Sequence, residues 1–175
     1  MTELAITAVG RDRPGIVAAF TESLFAVGAN LQDCRAALLR GSFAMVMAVT
    51  VPDGVDADAV RAALRPVADE MGLTVWLGAT SPDDMSASTG ECTVSVYGAD
   101  HPGIVSAVTR ALADLGVNID DLSSRLVGSP PVYVLGITCG LPEGVTPDAV
   151  RTTLTPVARA QSIEVSVSSP DDEIL

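Results

Sequence analysis

Lysine is missing altogether from this chain of 175 residues; its ten basic residues are all arginines. That absence removes Schiff-base chemistry and any phosphate-loop lysine. Histidine occurs once, at His101, so no Ser-His-Asp or Cys-His arrangement can be present in duplicate. Aromatic residues make up 3% of the chain against 48% hydrophobic residues, so the core is expected to consist of Val, Leu, Ile and Ala. The three cysteines, Cys34, Cys92 and Cys139, are odd in number, far apart and without C-x-x-C spacing. Neither a disulfide framework nor a zinc site is expected, and they read as reduced strand residues of an intracellular protein. No apolar run approaches the roughly 18 residues of a membrane-crossing helix. Met1 leads straight into an alternating pattern, so no signal peptide is expected and the expected location is cytoplasmic. Positive charge is also scarce, with 10 basic against 22 acidic residues and a formal net charge of -12. Such a chain is poorly suited to neutralising phosphates, which disfavours direct nucleic-acid binding and an anionic membrane surface.

What is present is a repeat. Asp12-Arg13-Pro14-Gly15-Ile16-Val17 recurs 88 residues later as Asp100-His101-Pro102-Gly103-Ile104-Val105. An asparagine follows each turn glycine by 15 residues, Asn30 in the first half and Asn118 in the second. The expected organisation is a first domain over 1–78, a linker over 79–91, a second domain over 92–169 and an acidic tail over 170–175.

Within the first half, Leu4 to Val9 alternates as a strand. From Ile16 the period changes: Ile16, Phe20 and Leu24 define a helical face, with Val17 and Phe25 beside them. Gly28 stops that helix. Asn30 opens a second strand, and Phe43, Met45, Met47, Val49 and Val51 share one face of a third, paired with it as a hairpin. Asp56 is a plausible N-cap for a second helix reaching about Met71, with Val60, Leu64, Val67 and Met71 as its stripe. Pro66 is expected to kink that helix or end it early. Leu73 to Leu77 is a short fourth strand. The second half repeats every step, with Thr146 as N-cap, Pro147 at the first helical position and Pro156 matching Pro66. The order predicts an α+β fold: two ferredoxin-like βαββαβ modules, each an antiparallel four-stranded sheet with two helices on one face.

A helix start presents unpaired N–H groups and partial positive charge. A small carboxylate can sit on the N–H groups of Gly15, Ile16 and Val17, or of Gly103, Ile104 and Val105. Glycine lets the anion approach, and Pro14 and Pro102 set the entry angle. Asp12 or Asp100 can meet an ammonium, and Asn30 or Asn118 can donate and accept. That set suits an α-amino acid. Plainer readings stand beside it. Asp12 and Asp100 resemble ordinary N-caps, Asn30 and Asn118 resemble left-handed residues after a helix, and His101 resembles a solvated turn residue. The Asp83-Asp84 and Asp171-Asp172 pairs read as solvated loop charge rather than a metal site. A purely structural or interaction protein is the alternative function, and a small hydrolase on this fold would need a reactive group that no residue supplies.

The strand, the (Asp/Asn)-x-Pro-Gly-(Ile/Val) turn, the helix and then Gly-x-Asn-(Ile/Leu) resemble the ACT domain family. The second motif stands here as Gly28-Ala29-Asn30-Leu31 and Gly116-Val117-Asn118-Ile119. The resemblance implies regulatory modules that bind amino acids or other small metabolites at an interface between two copies. Family contact positions fall on Asp12, Gly15 and Asn30, and on Asp100, Gly103 and Asn118. A tandem of this length is similar to the glycine cleavage system transcriptional repressor group, which implies action through a regulatory protein partner. The turn also resembles ACT segments attached to formyltetrahydrofolate deformylase, phosphoserine phosphatase and the nitrogen-regulatory uridylyltransferase, whose catalytic domains are not expected here. The expectation is therefore a non-catalytic homodimer that takes a small amino acid and needs no cofactor.

Overall fold

The computed structural model describes residues 2–79 and 88–169. The expected pairs Asp83-Asp84 and Asp171-Asp172, the acidic tail and most of the expected linker lie outside the described residues. The chain divides into two compact units, Met1–Met85 and Ser86–Leu175. Strands reach into both ends of the expected linker, covering Ala79 on one side and Gly90 and Glu91 on the other.

The first unit runs β1 (Thr2–Arg11), α1 (Ile16–Ala26), β2 (Asn30–Leu39), β3 (Ser42–Val51), α2 (Ala57–Met71) and β4 (Leu73–Ala79). The second runs β5 (Gly90–Gly98), α3 (Ile104–Asp114), β6 (Asn118–Val127), β7 (Val132–Leu141), α4 (Pro147–Gln161) and β8 (Ile163–Ser168). Each unit is a four-stranded antiparallel sheet, in the order β2-β3-β1-β4 and β6-β7-β5-β8. The helices lie on one face of each sheet, so the alternation along each central strand decides what is buried. Phe43, Met45, Met47, Val49 and Val51 of β3 all point into the core, as do Leu4, Ile6 and Ala8 of β1. The edge strands β2 and β6 are exposed along nearly their whole length. Each carries a bulge at the same place, between Leu31 and Asp33 and between Ile119 and Asp121.

Three sequence expectations change. Phe25 is 82% exposed and Val17 is exposed too, because α1 buries only the strict four-residue row Ile16, Phe20 and Leu24. The stripe of α2 turns onto Ala68, leaving Val67 and Met71 half-buried. Finally, neither proline ends its helix: α2 continues past Pro66 to Met71, and α4 past Pro156 to Gln161. Both prolines are exposed, as are Ala62 and Thr152 four residues earlier. Water can therefore pair the carbonyls that lose their intrahelical donor.

Candidate functional site

The repeated turn leaves the top of β1 and enters α1 without a side-chain cap. The capping position is Gly15 itself, at φ +93°, and its counterpart Gly103 stands at φ +102°. The first intrahelical bonds run from Ala19 N–H to the Gly15 carbonyl and from Ala107 N–H to the Gly103 carbonyl, each 2.9 Å. The amides of Ile16, Val17 and Ala18 thus precede the helical ladder, as do those of Ile104, Val105 and Ser106. Helices α2 and α4 differ. The Asp56 carboxylate accepts from Ala59 N–H at 2.8 Å, and the Thr146 hydroxyl from Ala149 N–H at 3.2 Å.

Two plainer readings are corrected here. Asp12 and Asp100 are exposed and do not cap their helices; the Asp12 backbone N–H instead donates to the Gly41 carbonyl at 3.1 Å. Asn30 and Asn118 are not left-handed, because Gly28 and Gly116, each at φ +72°, take that conformation first. A Cβ at Gly15 would meet nothing within 4 Å, so the positive φ, not crowding in the protein, selects it.

Sheet order separates what the sequence spacing seemed to join. Asn30 pairs with Thr50, which pairs with Glu3 at the start of β1. The turn follows Arg11, eight residues farther along β1, or roughly 26 Å at a strand rise of about 3.3 Å per residue. Asn118 pairs likewise with Gly140 and so lies beside Glu91, at the far end of β5 from Asp100. Asp12, Pro14, Gly15, Ile16 and Val17 are together, as are Asp100, Pro102, Gly103, Ile104 and Val105. The asparagine of the same unit is at the opposite end. The two asparagines also differ: the Asn118 amide donates to the Asp120 carboxylate at 2.6 Å. Among the described residues the Asn30 side chain makes no such bond.

His101 is a partly exposed turn residue whose ring also meets two backbone carbonyls. Its Nε2 lies 2.8 Å from the Gln161 carbonyl and its Nδ1 3.1 Å from that of Pro102. Two carbonyl acceptors are both satisfied only by the imidazolium, which raises the pKa above the ordinary 6.5, Gln161 contributing most and Pro102 next. Arg13 does the matching job in the first unit, donating to the Glu70 carbonyl near the end of α2 at 3.4 Å. A cation meets the negative end of the second helix in both units. Because the folded pKa is raised, the contribution of His101 to stability is complete below 6.5 and is lost as pH rises through the folded value. The imidazole should titrate above 6.5 by NMR, and His101→Gln should remove that part of the decline in stability with rising pH. A midpoint at or below 6.5 would contradict the assignment.

Spacing in the sequence hides one more pair. Cys92 and Cys139 face each other directly across β5 and β7, both fully buried. Burial raises both thiols, and Cys139, next to Cys92, is pushed to about 12. Cys34 is half-buried on β2 and raised by burial and then by Asp33. A maleimide should therefore modify one thiol in the native chain and all three after unfolding; rapid native labelling of more than one would show that the second core opens. Among the described residues no three His, Cys, Asp or Glu side chains converge as a metal site, and no helix is long and apolar enough to cross a membrane.

Comparison with known proteins agrees with this architecture. Residues 2–77 and residues 93–152 each match an ACT domain family. A phosphoserine phosphatase of Mycobacterium tuberculosis is 30% identical over 166 residues, which cover 93% of this chain and 39% of the phosphatase. The glycine cleavage system transcriptional repressor of Escherichia coli is 29% identical over 129 residues, 70% of this chain and 64% of the repressor. The chain thus spans about two fifths of the phosphatase and just under two thirds of the repressor. An unknown protein from Galdieria sulphuraria has a crystal structure that superimposes with a TM-score of 0.85 at 28% identity, covering 96% of this chain and 98% of that one. With both units matched and both folded as βαββαβ sheets, this chain belongs to the ACT domain family as a tandem pair, similar to the glycine cleavage system transcriptional repressor.

Proposed function

We propose that this chain is a non-catalytic regulatory protein that binds a small amino acid at an interface between ACT modules. It passes that state to a protein partner, in transcriptional control of amino-acid metabolism. The observation that carries the reading is the pair of uncapped helix starts, each entered through a left-handed glycine. Their free amides and positive helix ends suit a carboxylate, while Asp12 or Asp100 takes the ammonium. Since each asparagine lies at the far end of its own sheet, the turn of one module works with the asparagine of another. This reading therefore needs two modules, and a homodimer is the assembly we propose. The similarity to the glycine cleavage system repressor supports a regulatory role, and the net charge of -12 favours a protein partner over DNA.

Isothermal titration with glycine, serine and the other proteinogenic amino acids tests the reading. Saturable binding is expected, lost on Asn30→Ala with the fold intact and weakened less by Asn118→Ala, whose amide Asp120 already engages. A ligand at 100 times its Kd should also stabilise the protein by about 2.7 kcal/mol. No heat and no thermal shift with any amino acid would sink the proposal. The result would then favour the second reading, an interaction module without a small ligand. That reading draws on the exposed Leu38, Leu39 and Leu126 along the edge strands β2 and β6.

A further inference from the structure

The two units have diverged on the sheet face that carries no helices. Strand register lines up two adjacent rows there in the second unit: Ser95–Gly136–Ser123 and Tyr97–Val134–Arg125. The matching rows of the first unit are Thr7–Val46–Arg35 and Val9–Ala44–Ala37. A valine has given way to glycine at the centre of the first row, with a serine on either side. Around it lies a pocket of about 340 Å³, lined by hydroxyls and one guanidinium and by no carboxylate. That volume falls within the range of small-molecule sites, roughly 300–1,000 Å³.

Gly136 is not there for the backbone. It has no positive φ, and a Cβ would meet nothing closer than the Ser123 Oγ at 3.6 Å, an ordinary contact. A glycine inside a strand is destabilising relative to alanine, so what it contributes is room. Arg125 is exposed and, among the described residues, makes no hydrogen bond or ion pair. The guanidinium thus stands beside a cluster of hydroxyls whose lining holds no carboxylate. Guanidinium and hydroxyl donors together match the oxygens of a carboxylate or a phosphate.

We propose that this open face of the second unit binds a small oxyanion-bearing ligand over Gly136, held by Arg125 and the hydroxyls of Ser95, Ser123 and Tyr97. The site is separate from the helix starts and stands whether or not these bind amino acids. Titration of the full ¹⁵N-labelled chain with inorganic phosphate and with malonate, at constant ionic strength, tests it. The amides of Ser95, Ser123, Arg125 and Gly136 should move saturably. Arg125→Gln should weaken the response about tenfold or more, as expected for a lost charge-assisted pair. Gly136→Val should fill the pocket and do the same; Val46 occupies that position in the first unit, so the strand tolerates it. A response to phosphate alone assigns a phosphate-bearing ligand, and one to malonate alone a carboxylate. Shifts confined to the amides of Ile16–Ala18 and Ile104–Ser106 would overturn the proposal. So would shifts indifferent to either substitution, or no shift with either probe.

Discussion

Phe20→Ala should destabilise the first unit by about 3–5 kcal/mol, the range for emptying an aromatic site in a packed core. Phe20 is fully buried at the middle of the one row by which α1 meets the sheet, between Ile16 and Leu24. The chain holds only three phenylalanines, and the residues around Phe20 are already in place on rigid strands, so collapse into the cavity is limited. The single tryptophan, Trp76, lies on β4 of the first unit and is 59% exposed, giving that unit its own fluorescence signal in urea. The Trp76 transition should move to lower urea. Leu112→Ala, in the separate core of the second unit, should leave it nearly unchanged. A loss below about 1 kcal/mol in Phe20→Ala would mean that α1 is not anchored as described.

Gly10→Val should cost about 3 kcal/mol in the same assay, at the upper end for overpacking. Gly10 lies just before the turn that opens α1. A Cβ there would come within 2.6 Å of Leu73 Cδ2 and 2.8 Å of the Gly72 carbonyl oxygen. The leucine can rotate away, but the carbonyl belongs to the backbone of Gly72, whose N–H caps α2, so the chain itself must shift. The equivalent Gly98 makes a useful contrast. Its Cβ would meet Ile163 Cγ2 at 2.8 Å, with the nearest backbone atom at 3.4 Å. Gly98→Val should be milder because a side chain can yield. Equal losses at the two positions would show that the close approach to the Gly72 carbonyl is not what selects glycine. Since Gly10 holds the end of β1 against α2, its replacement should also disturb the amides of Ile16 to Ala18.

Much of this molecule was legible before folding. The doubled turn and asparagine announced two copies of one module. The period-2 alternation of Phe43 to Val51 and the four-residue spacing of Ile16, Phe20 and Leu24 marked core faces directly, because both repeats are properties of local backbone geometry. Asp56 and Thr146 declared themselves as caps for the same reason: the bond each makes is to a residue three positions away. Pro66 and Pro156 leave their helices unended because the missing donor faces solvent, and a sequence does not record which side of a helix water reaches.

What the sequence by itself determined was the set of elements, their faces and their duplication, since each depends on neighbours within a turn or a strand. The tertiary structure alone decided which distant residues meet. The order β2-β3-β1-β4 put Asn30 in the row of Glu3, far from the turn it follows by 15 residues. Strand register set Cys92 against Cys139 and placed Gly136 between two serines. Helix packing brought the His101 ring to the Gln161 carbonyl. The reason is common to all three. Pairing between strands and packing between helices are chosen by the burial of the whole core, and a side chain's own sequence neighbours carry no trace of that choice.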